Sequence, residues 1–171
     1  MNLKGATVVS IGFLKGIQPP FLLFSVPFRK AEVPQPRDIF LPELPQIEFE
    51  QKILRSPGKA LVMFSAPWCQ QCQPLKAVVK EAARIFRGAL DVYQMDFDRL
   101  TEDFQERWNP QKILPMILLF DDGRLAGTQA GSSPLTEGEK KTLRFSPASF
   151  EKNRQRLLTL IRTKLKIEPP K

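Results

Sequence analysis

Apolar and polar positions fall into regular patterns from about residue 46 onward. Residues 46–56 (QIEFEQKILRS) predict a short helix that ends at Pro57 and Gly58. Residues 60–65 (ALVMFS) form a continuous apolar run bounded by turn residues, which is typical of a strand buried on both faces. An apolar stripe at helical spacing then predicts a helix that ends near Gly88: Leu75, Val78, Val79, Ala82, Ile85 and Phe86.

The following stretch alternates between strand and turn signals. Residues 89–97 (ALDVYQMDF) predict a second strand, and Thr101 is expected to cap the short helix that comes after it. Residues 116–120 (MILLF) and 124–130 (RLAGTQA) flank the turn DDG at 121–123. This arrangement predicts an antiparallel hairpin.

The last regular stretch predicts a helix with Ser146 as its N-cap and Pro147 as its first residue. Its apolar face comprises Phe150, Leu157, Leu158, Ile161 and Leu165. The predicted order from residue 46 is therefore α-β-α-β-α-β-β-α. Two strands joined through a helix are expected to be parallel, and the hairpin adds an antiparallel edge. The fold class is therefore α/β, with a central mixed sheet flanked by helices.

The first part of the chain has a different composition. Seven of the sixteen prolines lie in residues 18–45, which favours an extended connector over a packed element. We therefore interpret residues 1–45 as an N-terminal extension. Residues 46–168 are predicted to form the folded domain, with an insertion near 132–146.

The compartment depends on residues 1–31, which contain no Asp or Glu. Their apolar stretch at 6–14 has the length of a signal-peptide core, but Lys15 ends it and no cleavage pattern follows closely. A strand-forming extension of a cytoplasmic protein is slightly favoured. Targeting to an organelle or the periplasm is the alternative. No stretch of the sequence has the 18–20 apolar residues that a membrane span needs.

Composition and charge exclude several kinds of catalytic and metal site. The chain has no histidine, which excludes His-based acid–base catalysis and every zinc site that contains His. The net charge is +8, and residues 137–171 hold ten basic and four acidic side chains. A solvated helix face explains this excess, so no nucleic-acid partner is expected. Membrane contact by the N-terminus or the basic C-terminal helix stays an alternative.

Cys69 and Cys72 are the only cysteines, and they lie between the apolar strand and the amphipathic helix. A helix N-terminus stabilises a thiolate, so Cys69 is the candidate nucleophile, exposed at the helix start. Cys72, one turn further in, is the candidate resolving thiol. A four-cysteine metal site would need another chain, and an inert pair is the other alternative. The pattern indicates neither a cofactor nor a metal ion.

The segment FSAPWCQQC (64–72) resembles the active-site segment of the thioredoxin family, in which Trp directly precedes the first Cys. Residues 113–131 (ILPMILLFDDGRLAGTQAG) are similar to the family's second signature. The resemblance implies a thioredoxin-like fold in which Pro115 is cis and sits against the dithiol. It also implies that Trp68, Leu114 and Pro115 bind substrate. The expected substrates are protein disulfides, with a reductase or oxidase as the recycling partner.

Three positions depart from the family pattern. Met63 replaces a buried Asp that assists proton transfer at the second thiol, and the usual Lys partner of that Asp corresponds to Gln94. The residues between the cysteines are Gln-Gln, so the redox potential cannot be inferred from the family. Met116 follows Pro115, where it suits either a broad apolar groove or the core. We therefore predict a thiol–disulfide oxidoreductase, with a thioredoxin-fold interaction module of little turnover as the alternative.

Overall fold

The computed structural model describes residues 40–169, so the targeting interpretation of residues 1–31 concerns residues outside this range. A π-helical turn over Glu50–Leu54 continues the first helix, and a 3₁₀ turn covers Phe97–Arg99. Within 40–169, no helix is both long and apolar enough to cross a membrane. The regular elements are α1 (Gln46–Phe49), β1 (Lys59–Ser65), α2 (Cys72–Ile85), β2 (Asp91–Asp96), α3 (Glu102–Trp108), β3 (Met116–Asp121), β4 (Arg124–Ala130), α4 (Glu137–Thr142) and α5 (Pro147–Leu165).

The four strands form one mixed sheet in the order β2-β1-β3-β4. β1 and β2 are parallel, with Ala60 opposite Asp91 and Ser65 opposite Asp96. β3 pairs antiparallel with both β1 and β4. The predicted fold class, strand directions and hairpin are therefore confirmed, and α4 is an additional helix within 132–146.

Side chains alternate across β1 and divide the interior into two cores. Leu61 and Met63 pack with α2 and α5, in a cluster that also contains both cysteines. We call this cluster the α2–α5 core. Val62 and Phe64 pack on the opposite face of the sheet with Phe49 of α1. The dithiol is therefore attached to one core only, on the side covered by α2 and α5.

The start of α2 differs from the prediction. The helix begins at Cys72, three residues after the expected start at Cys69. Pro74 explains the shift, because proline has no N–H to donate within a helix and is tolerated only in the first turn. A start at Cys69 would place Pro74 inside the helix, whereas the observed start makes it the third residue.

Two helix caps also test the prediction. Ser146 caps α5 through its hydroxyl, which accepts a hydrogen bond from the Ser149 N–H at 3.3 Å, as expected. Thr101 is the N-cap of α3, but its side chain accepts no hydrogen bond from the helix within the described residues. Instead, the Thr101 N–H donates to Gln46 Oε1 at 2.8 Å, and Gln46 Nε2 donates to Thr101 Oγ1 at 2.9 Å. Thr101 therefore joins α3 to α1.

Residues 41–44 pack against the sheet, although the sequence analysis assigned them to the extension. Leu41 and Leu44 are buried. The Leu44 N–H donates to the Gln94 carbonyl at 2.8 Å, and the Gln94 N–H donates to the Pro42 carbonyl at 3.0 Å. Pro42 fits here because it contributes only its carbonyl to the pairing. This short segment therefore covers the outer edge of β2.

A buried glutamate holds the connection around α4. Glu139 is 5% exposed, and its carboxylate accepts hydrogen bonds from the Thr136 N–H at 2.9 Å and the Ser146 N–H at 2.7 Å. Because Thr136 caps α4 and Ser146 caps α5, one carboxylate joins the starts of both helices. These N–H donors, Thr136 first, lower the pKa of Glu139.

We expect Glu139→Gln to lower the melting temperature by several degrees at pH 7, because an amide cannot accept both N–H groups as a carboxylate does. Since the folded pKa is lowered, the carboxylate stabilises the fold above its unfolded pKa of about 4.3. That stabilisation is lost as the pH falls through the folded value. The loss on mutation should therefore shrink in acid. Thermal unfolding from pH 3 to 7 tests this, with Glu137→Gln on the exposed side of α4 as the control.

Candidate active site

The two cysteines lie in the turn that joins β1 to α2, and they form a disulfide. The Sγ atoms are 2.08 Å apart and the Cα atoms 5.3 Å apart. The turn is closed by the Cys69 N–H, which donates to the Ala66 carbonyl at 3.1 Å. The pair is thus a local disulfide between residues three positions apart, at the end of a buried strand.

The first N–H of α2 points at the sulfur of Cys69. The Cys72 N–H donates to Cys69 Sγ at 3.2 Å and is shared with the Cys69 carbonyl oxygen at 3.1 Å. A thiolate at Cys69 would therefore receive both a direct hydrogen bond and the partial positive charge of the helix N-terminus. Among the described residues, no N–H donates to the sulfur of Cys72.

The two cysteines differ less in solvent exposure than the sequence predicts. Cys69 is 5% exposed and Cys72 is 0% exposed. Cys69 is the more exposed of the two, as predicted, but it too is buried in this oxidised form. Cys69 is the only one of the two with surface accessible to solvent.

The surroundings of Cys72 are apolar. Met63 is fully buried and shares the α2–α5 core with both cysteines. Its partner across the parallel strands is Gln94. The two positions where the resemblance would place an acid and a base thus hold a thioether and a carboxamide. Neither group exchanges a proton near neutral pH.

A polar pocket of about 250 Å³ opens beside the active-site turn. Its lining includes Ser65, Ala66, Gln94 and Asp96. Ala66 also packs in the α2–α5 core, so the pocket brings solvent close to the dithiol. Cys72 itself does not line the pocket, whereas the carboxylates of Glu43 and Asp96 do.

Trp68 is 65% exposed next to the disulfide. Its indole N–H donates to both carboxylate oxygens of Asp98, at 3.1 Å and 3.0 Å. Asp98 is a site residue that the sequence analysis did not identify. Asp96 also has a role, because it accepts the Asp98 N–H at 3.2 Å and so fixes the turn that presents Asp98.

Residues 114–116 lead into β3. The Leu114–Pro115 peptide is cis, as the resemblance implied. The Pro115 carbonyl accepts the Gly131 N–H at 2.7 Å, which leaves Pro115 at the end of the β3–β4 hairpin. Leu114 is half-buried and packs against both cores. Met116 is buried in the core opposite the cysteines, so core packing explains it better than a substrate groove.

The arrangement combines a CxxC disulfide at a helix start with a cis-proline loop. A family model described as Thioredoxin matches residues 41–141. The chain belongs to the thioredoxin family. The resemblance inferred from the two sequence signatures is confirmed.

The chain is similar in sequence to thioredoxins from several organisms. The chain is 33% identical over 84 residues to the thioredoxin of Pseudomonas aeruginosa, which covers 49% of this chain and 76% of that protein. It is 29% identical over 105 residues to chloroplastic thioredoxin M4 of Arabidopsis thaliana, covering 61% of this chain and 53% of that protein. Oxidised mitochondrial thioredoxin 3 of Saccharomyces cerevisiae has a TM-score of 0.47 and 21% identity, over 53% of this chain and 83% of that one.

Family membership and the Cys69–Cys72 disulfide together make this thioredoxin-family protein a thiol–disulfide oxidoreductase. Its substrates are protein disulfides, and its partners in general are reductases.

Proposed function

We propose that Cys69 is the attacking thiol and Cys72 the resolving thiol in exchange with protein disulfides. The observation that carries this assignment is the hydrogen bond from the Cys72 N–H to Cys69 Sγ at 3.2 Å. A donor aimed at one sulfur lowers the cost of a negative charge there. Cys69 is thereby the better nucleophile of the pair.

In the reductive direction, the Cys69 thiolate attacks one sulfur of the substrate disulfide. A mixed disulfide forms, and the other substrate sulfur leaves as a thiolate that takes a proton from solvent. Cys72 then loses its proton and attacks Cys69 Sγ. The Cys69–Cys72 disulfide forms and the second substrate thiol is released. Two electrons have passed from the dithiol to the substrate, and a reductase restores the dithiol; with an oxidase as partner, every step runs in reverse.

Trp68, Leu114 and Pro115 are proposed to bind the substrate chain around its disulfide. The exposed ring of Trp68 is held in place by Asp98 and offers a flat apolar surface. Leu114 and Pro115 lie at the start of β3, where proline leaves the preceding backbone free to pair with an extended segment. A substrate chain would then lie between the Trp68 ring and the residues before β3.

Alkylation of the reduced protein tests the assignment of roles. We expect limiting iodoacetamide at pH 7 to label Cys69 about tenfold faster than Cys72, because Cys69 has the sulfur-directed N–H and the remaining solvent exposure. Peptide mapping by mass spectrometry measures the ratio. The same reaction after unfolding in denaturant is the control, in which both cysteines should react alike. Faster labelling of Cys72 in the folded protein would reverse the two roles.

A further inference from the structure

A groove of about 600 Å³ lies between α2 and the residues that connect α4 to α5. Its apolar walls are Pro74 on α2, Leu143 and Phe145 on the connection, and Phe150 on α5. We call this feature the basic groove, because three cations line it as well. The family match ends at residue 141, so the wall formed by Leu143 and Phe145 lies outside the part of the chain that resembles thioredoxin.

The charges in the basic groove are all positive. Lys76, Lys80 and Arg144 line it, and no carboxylate does. Within residues 40–169, none of these three side chains forms an ion pair. Three unpaired cations around apolar walls attract anionic groups, and the attraction is strongest where a concave surface limits screening by water.

Leu143 is held in a conformation that is unfavourable for leucine. Its φ is +51°, in the left-handed region, and its side chain is 41% exposed. A branched apolar residue there costs more than the Gly or Asn that usually ends a helix. The exposed part of this side chain lines the groove, where it is available for contact with another molecule.

The basic groove adjoins the dithiol. Gln73 and Pro74, which directly follow Cys72, line it. Ser132 Oγ lies 3.5 Å from Oε1 of Gln71, which stands between the two cysteines in the sequence. A substrate whose disulfide reacts at Cys69 would therefore have a neighbouring segment within reach of the groove.

We propose that the basic groove binds a segment of the disulfide-bearing substrate protein that combines acidic residues with apolar side chains. This proposal rests on the function proposed above and names the substrate class of that site. The chain's own residues 1–39 are a poor occupant, because they hold five basic and two acidic side chains. A concave groove also fits a protruding peptide better than the flat surface of a bilayer.

Two synthetic peptides test the proposal. Each contains one internal disulfide and the same flanking Leu and Phe residues, interspersed with Glu in one peptide and with Lys in the other. We expect the reduced full-length protein to react with the acidic peptide about tenfold faster at low salt. The ratio should fall toward one at 1 M salt, where the screening length is about 3 Å. Quenched-flow measurement of peptide thiol release gives the rates.

Variants identify the groove as the source of the preference. The double variant Lys80→Glu/Arg144→Glu should favour the basic peptide, whereas Arg87→Glu/Lys141→Glu changes the net charge equally and should keep the acidic preference. Leu143→Asn removes the apolar side chain and introduces a residue that tolerates the left-handed conformation. It should slow the reaction with the acidic peptide several-fold without lowering the melting temperature.

A small neutral disulfide, 2-hydroxyethyl disulfide, separates this proposal from the function on which it rests. All variants should react with it at the wild-type rate. Equal rates with the two peptides, together with normal reaction with the small disulfide, would overturn the groove proposal alone. No cysteine-dependent reaction with any disulfide would overturn the proposed roles of the cysteines. Binding to phosphatidylserine vesicles that the double variant loses, with equal peptide rates, would assign the groove to a membrane and contradict the proposal.

Discussion

Cys69→Ser is expected to abolish the reduction of insulin disulfides. A serine hydroxyl is not ionised at neutral pH and cannot attack a disulfide sulfur, so the rate should fall by about a thousandfold or more. The hydrogen bond from the Cys72 N–H would then reach an oxygen, and Cys72 alone lacks a directed donor. Turbidity of insulin in the presence of dithiothreitol measures the loss.

Cys72→Ser should give a different result from Cys69→Ser. Its nucleophile is intact, so the first step proceeds and the mixed disulfide with the substrate accumulates, because no second thiol can resolve it. A non-reducing gel should show a stable protein–substrate adduct that dithiothreitol releases. If the mixed disulfide accumulates in Cys69→Ser and not in Cys72→Ser, then Cys72 is the attacking thiol and Cys69 the resolving thiol. Wild-type turnover in both variants would contradict the enzymatic assignment to this dithiol.

The sequence predicts most of the fold because its signals are local. The apolar run of β1, the turn at 121–123 and the Ser146–Pro147 cap each follow from a few adjacent residues. The dithiol is equally local, since both cysteines lie within one turn. Pro74 shows how a local signal can be overlooked: its place in the first helical turn fixes the start of α2, and the sequence alone contains it.

The rest of the site depends on contacts between distant residues. Asp98 lies 30 positions from Trp68, and neither sequence neighbourhood indicates that the two meet. Glu139 has the spacing of a capping box with Thr136, but its second bond, to the Ser146 N–H, follows only from the packing of α4 beside α5. The basic groove likewise forms only when 143–145 folds back over α2.

Met63→Asp is expected to accelerate resolution by Cys72 about tenfold near pH 7. In the wild type, neither Met63 nor its strand partner Gln94 can accept a proton, so we expect the Cys72 proton to leave toward solvent. A carboxylate at position 63 would lie in the same core as Cys72 and could take that proton directly. Stopped-flow release of the second substrate thiol, measured from pH 6 to 9, isolates this step.

The substitution should also destabilise the protein, by several kcal/mol, because it buries a carboxyl group among apolar side chains. Burial raises the pKa of the new Asp above its unfolded value of about 3.9. Below the unfolded pKa the new Asp is neutral in both states, and the free energy of unfolding is highest there. As the pH rises from the unfolded pKa to the raised folded pKa, the free energy of unfolding falls progressively. Urea unfolding at several pH values should show this slope in Met63→Asp and not in the wild type.

Met63→Asn is the matched control, since it introduces a polar group of the same shape with no proton to exchange. It should lose stability without the pH slope, and its resolution rate should stay at the wild-type value. Met63→Asp could fold, bind substrate and form the mixed disulfide normally, yet resolve it no faster than Met63→Asn at any pH. That result would show that Cys72 does not need a proton acceptor at this position. Met63 would then serve only to fill the α2–α5 core, and solvent would suffice as the acceptor of the proton.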